Sequence, residues 1–280
     1  MQTLLKDVLS LERIDQDSFR AHHHKENFKS TLFGGQVLAQ ALMAGGLTVP
    51  SAPPHSLHAY FLRPGSSEHP VDYHVVRNRD GRSFSHRTVN AVQAGKTLFS
   101  AMISFHQPEP NGYSHAVPWS QRPEPPDVSA LMVPGELAPS QPELSADSFE
   151  FFGLTEGMFS NTAAPPGARF WLRGREAFSD DALLQRCALA YASDFGLLGT
   201  ALVQHSTSLF KGEIIGASVD HAIWFHSADF SINDWLLYEI DSPWAGGARG
   251  LSQGKLFNQQ GLLVASTSQE GLIRPKTQVS

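Results

Sequence analysis

Apolar residues fall along this chain in arrangements that each occur twice. Phe33 to Gly46, FGGQVLAQALMAGG, carries no charge and is bracketed by Gly34-Gly35 and Gly45-Gly46. It reads as a helix, and a helix apolar almost all round is predicted to be buried. His58 to Pro64, HAYFLRP, reads as a strand. Arg79-Asp80-Gly81-Arg82 supplies a turn. Lys96 to Phe105 alternates, so Phe99, Ala101, Ile103 and Phe105 share one face. The same order then returns. Ser179 to Asp194 predicts a second helix, with an acidic first turn suited to the helix dipole. HAIWFHS, His221 to Ser227, matches HAYFLRP at an offset of 163. Gly246-Gly247 stands near the place of the Asp80-Gly81 turn. Leu262 to Glu270 matches the strand from Lys96 at an offset of 166.

Each half therefore holds one Ala-rich helix followed by several strands. The predicted class is α+β, an antiparallel sheet wrapped around one central helix, present twice. The outer face of each sheet is left to pack on a neighbour or to carry partner contacts. Eleven of the 18 prolines lie between Pro108 and Pro166 and mark a connector over 111–146. The halves then run over 1–110 and 147–280. Ser148 to Leu154, SFEFFGL, is aromatic enough to open the second half with a strand.

Composition narrows the function. With 280 residues, 41% hydrophobic and 17% charged, the chain can bury a sizeable core. A net charge of −6 argues against a nucleic-acid partner. The single cysteine, Cys187, offers neither an internal disulfide nor a Cys-based zinc site, and fits a reducing compartment. The first residues lack a signal-peptide core, and no run reaches the roughly 18 apolar residues of a membrane span. The ending KTQVS is no peroxisomal or retention tail. A cytoplasmic protein without a membrane partner is expected.

Asp194 extends the helical stripe Leu183, Cys187, Ala190. Either it turns to solvent at the helix end, or it is a pocketed carboxylate with a raised pKa, suited to general-base work. Ile214 to Phe225 reads as one strand. Strict alternation puts Ser218 and Asp220 on one face and His221 on the other, with Val219 and Ile223. Gln269 shares a face with Leu263, Ala265 and Thr267, and a buried amide needs partners for both ends. Ser218 could be a packing residue, His221 a satisfied core histidine and Gln269 a structural bridge. By the offsets above, Ser218 falls opposite His55, Gln269 opposite Ile103, and Asp194 near Met43. The first copy thus lacks this polar set, as one site per chain would require.

Gly34 and Gly35 open a helix, where backbone N–H groups can meet an oxyanion; close packing is the alternative. His58 is a candidate substrate contact. Arg77, Arg79, Arg82 and Arg87 cluster on one hairpin, either to hold phosphates or as a solvated basic face. Gly250-Leu-Ser-Gln-Gly254 has the spacing of a serine nucleophile elbow but sits in strand-like sequence. His22-His23-His24 lacks partners at zinc-site spacing. No phosphate-loop or dinucleotide motif occurs.

FGGQVLAQAL, HSLHAYFLRPG, RDGRSF, YASD, VDHAIWFH, DWLLYEIDSPWAGGARG and ASTSQEGLIR occur in this order between Leu4 and Arg274. Together they resemble the acyl-CoA thioesterase II (TesB-type) family. The resemblance implies a double hotdog fold, acyl-CoA as substrate, hydrolysis to free acid and coenzyme A, no metal or redox cofactor, and a homo-oligomer. The family's catalytic aspartate, hydroxyl residue and glutamine fall on Asp194, Ser218 and Gln269. Serine stands at 218 where threonine is common, so the hydroxyl is kept and a methyl lost. Other readings are Ser218 as a covalent nucleophile, an enoyl-CoA hydratase using Asp220 and His221, and a non-catalytic acyl-CoA binder.

Overall fold

The computed structural model describes residues 3–25, 31–109, 112–117, 148–152, 163–209 and 212–276. The connector expected over 111–146 lies outside the described residues, apart from 112–117. The first half holds α1 (Leu5–Val8), β1 (Glu12–Asp15), β2 (Ser18–Ala21), α2 (Gly34–Gly46), β3 (Pro54–Phe61), β4 (Val71–Asp80), β5 (Phe84–Gln93) and β6 (Lys96–His106). The second holds β7 (Phe149–Phe152), β8 (Gly167–Gly174), α3 (Ala182–Ser193), α4 (Leu197–Thr200), β9 (Ile214–Ser218), β10 (Asp220–Phe225), β11 (Leu236–Gly246), β12 (Arg249–Phe257) and β13 (Leu263–Pro275).

The strands pair antiparallel in the order β1-β2-β4-β5-β6-β3-β10-β13-β12-β11-β8-β7, with β9 also on β13. The order is a palindrome. From the centre outward, β3, β6, β5, β4, β2, β1 correspond to β10, β13, β12, β11, β8, β7. The expected repeat is therefore present in the topology. The halves join where β3 pairs β10, with His58 opposite Ala222 and Ala59 opposite His221.

The register corrects one internal match. β6 and β13 keep the same buried face at an offset of 166: Phe99, Ala101 and Ile103 against Ala265, Thr267 and Gln269. The offset of 163 equates His58 with His221, yet His58 is exposed and His221 buried. The two offsets differ by three, and a shift by an odd number of residues exchanges the faces of a strand. Leu57 with Ile223, both buried, keeps the faces in phase.

Only Gly34 of α2 is not buried. Strands of the first half and α3 both pack against α2. The helices run antiparallel. Gly35 meets Tyr191 and Asp194 at the end of α3, and Gly46 meets Leu183 near its start. The acidic residues of the second helix stand before it, not in its first turn. Asp181 is the N-cap and accepts from Leu184 N–H at 2.7 Å. The segment 214–225 is two strands, not one. Buried positions fall at Ile214 and Gly216 in β9 but at His221, Ile223 and Phe225 in β10. Val219 between them donates its N–H to Glu270 O and accepts from Phe61 N–H, and this break shifts the parity. HAYFLRP leaves the sheet at Phe61, and the strand begins earlier, at Pro54.

Arg87 does not belong to a solvated basic face. It is 1% exposed, and its guanidinium donates to Thr48 Oγ1 and Asp80 Oδ1. Arg77 pairs with Asp17. Among the described residues no helix is long and apolar enough to cross a membrane.

Inside α2 one polar side chain fastens three elements. Gln40 Nε2 donates to Val8 O at 2.7 Å, and Gln40 Oε1 accepts from Tyr73 Oη at 2.7 Å. Gln40→Leu leaves both partners buried and unpaired. The expected cost is about 2–4 kcal/mol in denaturant unfolding. Adding Tyr73→Phe should cost less than its own single effect, because the orphaned hydroxyl is removed. Simple additivity of the two changes would show that this pair is not coupled.

Candidate active site

The end of α3 meets the start of α2 at Asp194. Its backbone is still helical, at φ −80° and ψ −12°. Its side chain is 7% exposed. Oδ2 accepts from Gly35 N–H at 2.8 Å, and Oδ1 accepts from Gln269 Nε2 at 2.7 Å. A carboxylate at the negative end of α3 is opposed by that dipole, while the positive end of α2 offsets it. Burial pushes the Asp194 carboxyl above its usual range, and the bonds from Gln269 and Gly35 pull it part of the way back. The pocketed-carboxylate reading therefore fits, and the solvent-facing one does not.

This contact needs glycine. A Cβ on Gly35 would stand 2.4 Å from Tyr191 O, and one on Gly34 2.8 Å from Asp194 Oδ2. Gly35 N–H is thus committed to the carboxylate and is not free for an oxyanion, as its place at the helix start had suggested. Gly34 N–H makes no hydrogen bond among the described residues.

Gln269 lies on the buried face of β13, 2% exposed. Its Nε2 donates to Asp194 Oδ1 and also to Ser218 Oγ at 2.9 Å. Its Oε1 is buried without a partner among the described residues. Ser218 is the last residue of β9 and is half-buried, opposite Gly271. Asp194, Ser218 and Gln269 are therefore brought together by three different elements. The equivalent of Gln269 in the first half, Ile103, is apolar.

Because parity shifts at Val219, His221 points inward and not away from the site. Its Nε2 lies 3.0 Å from Ser193 Oγ, and its Nδ1 lies 3.9 Å from Asp194 Oδ1. Burial pushes its pKa down to about 3, so the ring is neutral at pH 7. Tyr238 Oη donates to Ser193 O at 2.8 Å and contacts Thr267 Oγ1. His221 and Tyr238 were not expected here. The sequence carries no signal for the parity shift, since apolar residues stand at both even and odd positions on either side of Val219.

Other candidates lie elsewhere. His58 is on the outer face of the sheet, edge-on to Trp224 at 5.0 Å, because its neighbours Leu57 and Ala59 take the inner face. Asp220 accepts from Glu270 N–H and faces away from His221, so the pair a hydratase would need is not assembled. Ser252 is buried in β12 and donates to Leu197 O. His22 pairs with Glu12, and His24 with Gln36.

The sequence profile described as acyl-CoA thioesterase matches residues 153–272, and that described as acyl-CoA thioesterase N-terminal domain matches 23–106. The chain is 38% identical to acyl-coenzyme A thioesterase 8 of Mus musculus, over 99% of this chain and 91% of that one. The crystal structure of the acyl-CoA thioesterase II TesB2 from Mycobacterium marinum superposes with a TM-score of 0.79 at 36% identity, covering 99% of both chains. A protein with a hot dog fold from Alicyclobacillus acidocaldarius superposes with a TM-score of 0.75 at 20% identity, over 97% of this chain and 98% of that one, a likeness of fold. The chain thus has the hotdog fold, with a mostly antiparallel sheet and few helices.

Burial of Asp194 has a consequence for stability. Its folded pKa lies above the unfolded value. Below the unfolded pKa the carboxyl is neutral in both states and carries no penalty. As pH rises through the folded pKa, the buried charge forms and stability is lost. Asp194→Asn removes that charge, and Gln269 can turn its unpartnered Oε1 to the new amide. The variant should melt above the parent at pH 7, with the gap closing toward pH 4. An equal gap at both pH values would show that the charge is not its cause.

Proposed function

Because the chain belongs to the acyl-CoA thioesterase family and hydrolyses acyl-CoA thioesters, we propose that Asp194, Ser218 and Gln269 carry the reaction by holding one water. The supporting observation is the double donation from one nitrogen. Gln269 Nε2 gives its two hydrogens to Asp194 Oδ1 at 2.7 Å and Ser218 Oγ at 2.9 Å. Diverging at about 120°, these bonds leave the two oxygens roughly 5 Å apart, the span a single water bridges with two hydrogen bonds. Ser218 still has its own O–H to give, and Asp194 accepts.

In this reading Asp194 takes a proton from the water as its oxygen attacks the thioester carbonyl carbon. Gly34 N–H, unpaired at the start of α2, meets the oxygen as it becomes negative. The carbon–sulfur bond then breaks. The proton held on Asp194 passes to the departing sulfur, giving free acid and coenzyme A. The raised carboxyl pKa makes Asp194 a stronger base than an exposed carboxylate, which is what proton removal from water requires. Gly34 and Gly35 act through the backbone. His58, on the outer face, takes no part.

We take the fold to be a double hotdog, with units over 1–110 and 147–280 and a connector over 111–146. The palindromic strand order and the two profile matches, one per half, support this. A homo-oligomer is the form this reading favours, with exposed Tyr60 and Met102 on the outer sheet face as surface for a second copy.

Folded Asp194→Asn should lose about 10²–10⁴-fold in kcat. Ser218→Thr should stay active because the hydroxyl survives, and Ser218→Ala should be impaired. Gln269→Ala should lower kcat about 10²-fold through loss of water geometry. Stopped assays of coenzyme A release, beside melting curves of each variant, check all four. Parent-level turnover in folded Asp194→Asn would remove Asp194 as the base.

A further inference from the structure

We infer that His221 is a positioning residue for the reaction, holding through its Nδ1 lone pair the protonated form that Asp194 adopts after taking the proton from water. This rests on Asp194 being the base. The tautomer follows from the hydrogen bonds around the ring. Ser193 Oγ lies 2.8 Å from Ala190 O, which can only accept, so the one hydroxyl proton goes there. The 3.0 Å contact between Ser193 Oγ and His221 Nε2 must then be made by a proton on Nε2. Nδ1 is left as a lone pair. It is buried without a partner among the described residues and lies 3.9 Å from Asp194 Oδ1.

A buried acceptor facing an ionised carboxylate has nothing to bond. It has a partner once the carboxyl is protonated. The proton arrives on Oδ1 from the side of the water, and rotation of the new O–H about the carboxyl C–O bond turns it toward Nδ1, where an approach of about 1 Å makes a normal hydrogen bond. His221 remains neutral throughout, since burial disfavours its charged form. The proton later leaves Asp194 for the sulfur, and Nδ1 is again unbonded. His221 thus disfavours the charge on Asp194 before attack and stabilises the acid after it. The titratable groups facing Asp194 are His221 from β10 and Tyr238 from β11. The other neighbours, Gly35 of α2, Ser218 of β9 and Gln269 of β13, do not titrate. Asp220 and Glu270 are engaged elsewhere, Asp220 with Glu270 N–H and Glu270 with Arg249.

Two replacements divide the ring. A glutamine amide reaches the place of Nε2 and keeps the bond to Ser193 while deleting Nδ1. An asparagine amide takes the place of Nδ1 and loses the bond to Ser193. The readout is the acidic limb of kcat/KM, which reports the base in the free enzyme. His221→Gln should move that limb to lower pH and reduce kcat/KM roughly tenfold, a fraction of what the base itself supplies. His221→Asn should melt lower yet return the limb toward its parent position. A folded His221→Gln enzyme with the parent limb and parent kcat/KM overturns the inference and leaves His221 a packing residue. Nitrogen-15 spectra of the parent enzyme give an answer free of folding effects. Nδ1 should shift to a hydrogen-bonded value as pH falls through the limb, with the Nε2 proton retained. An Nδ1 signal unmoved across the limb overturns the inference. Persistence of the same acidic limb in Asp194→Asn would instead reject Asp194 as the base, a separate failure.

Discussion

Two helices approach closely enough for a backbone N–H at the start of one to reach a carboxylate at the end of the other. The bond from Gly35 N–H to Asp194 is the contact on which the site depends. It requires glycine on α2, because any Cβ there would meet Tyr191 or Asp194. It also supplies the positive end of α2 to a charge that the end of α3 alone would oppose. With one carboxylate oxygen fixed in this way, the other is left for Gln269. Gln269 in turn fixes Ser218. The site is thus built outward from a helix crossing, and the sheet serves to hold the two helices at that distance.

Much of this was legible in the chain. The uncharged stretch from Gly34 to Gly46 predicted a buried helix, and only Gly34 escapes burial. The alternation from Phe99 to Phe105 predicted an inward face that β6 has. Asp194 and Gln269 could be named because each puts a polar group on an otherwise apolar stripe, a placement costly enough to need a reason. Identity misleads where it conflicts with periodicity. HAY and HAI look alike, but aligning them shifts one strand by three residues from the register that matches Leu57 with Ile223, an odd number, and so sets exposed His58 against buried His221. The break at Val219 has a similar effect, since alternation carried across it sends His221 to the wrong side. Tyr238 and Ser193 could not be read at all. Their roles are set by a long-range contact between β11 and the last turn of α3, and no local pattern encodes it.

The symmetry of the scaffold and the asymmetry of the site fit together. The second half supplies the carboxylate, the hydroxyl and the amide. The first half supplies the helix start that holds the carboxylate. Neither half contains the complete set, so the paired strands β3 and β10 do more than extend a sheet. They fix the relative position of two units whose groups must meet within hydrogen-bonding distance.

The antiparallel helix pair has a second crossing at its far end, where Gly46 meets Leu183. Two-fold geometry makes this place the counterpart of the one at Asp194. An ancestor assembled from two identical units would have owned two such clefts. Here a leucine side chain occupies one of the two places. The helix pair is therefore unlike at its two ends, with a carboxylate held by a helix start at one and a leucine side chain filling the other. On the proposed assignment of the site, titration with a tight-binding inhibitor would count chains, not repeated halves.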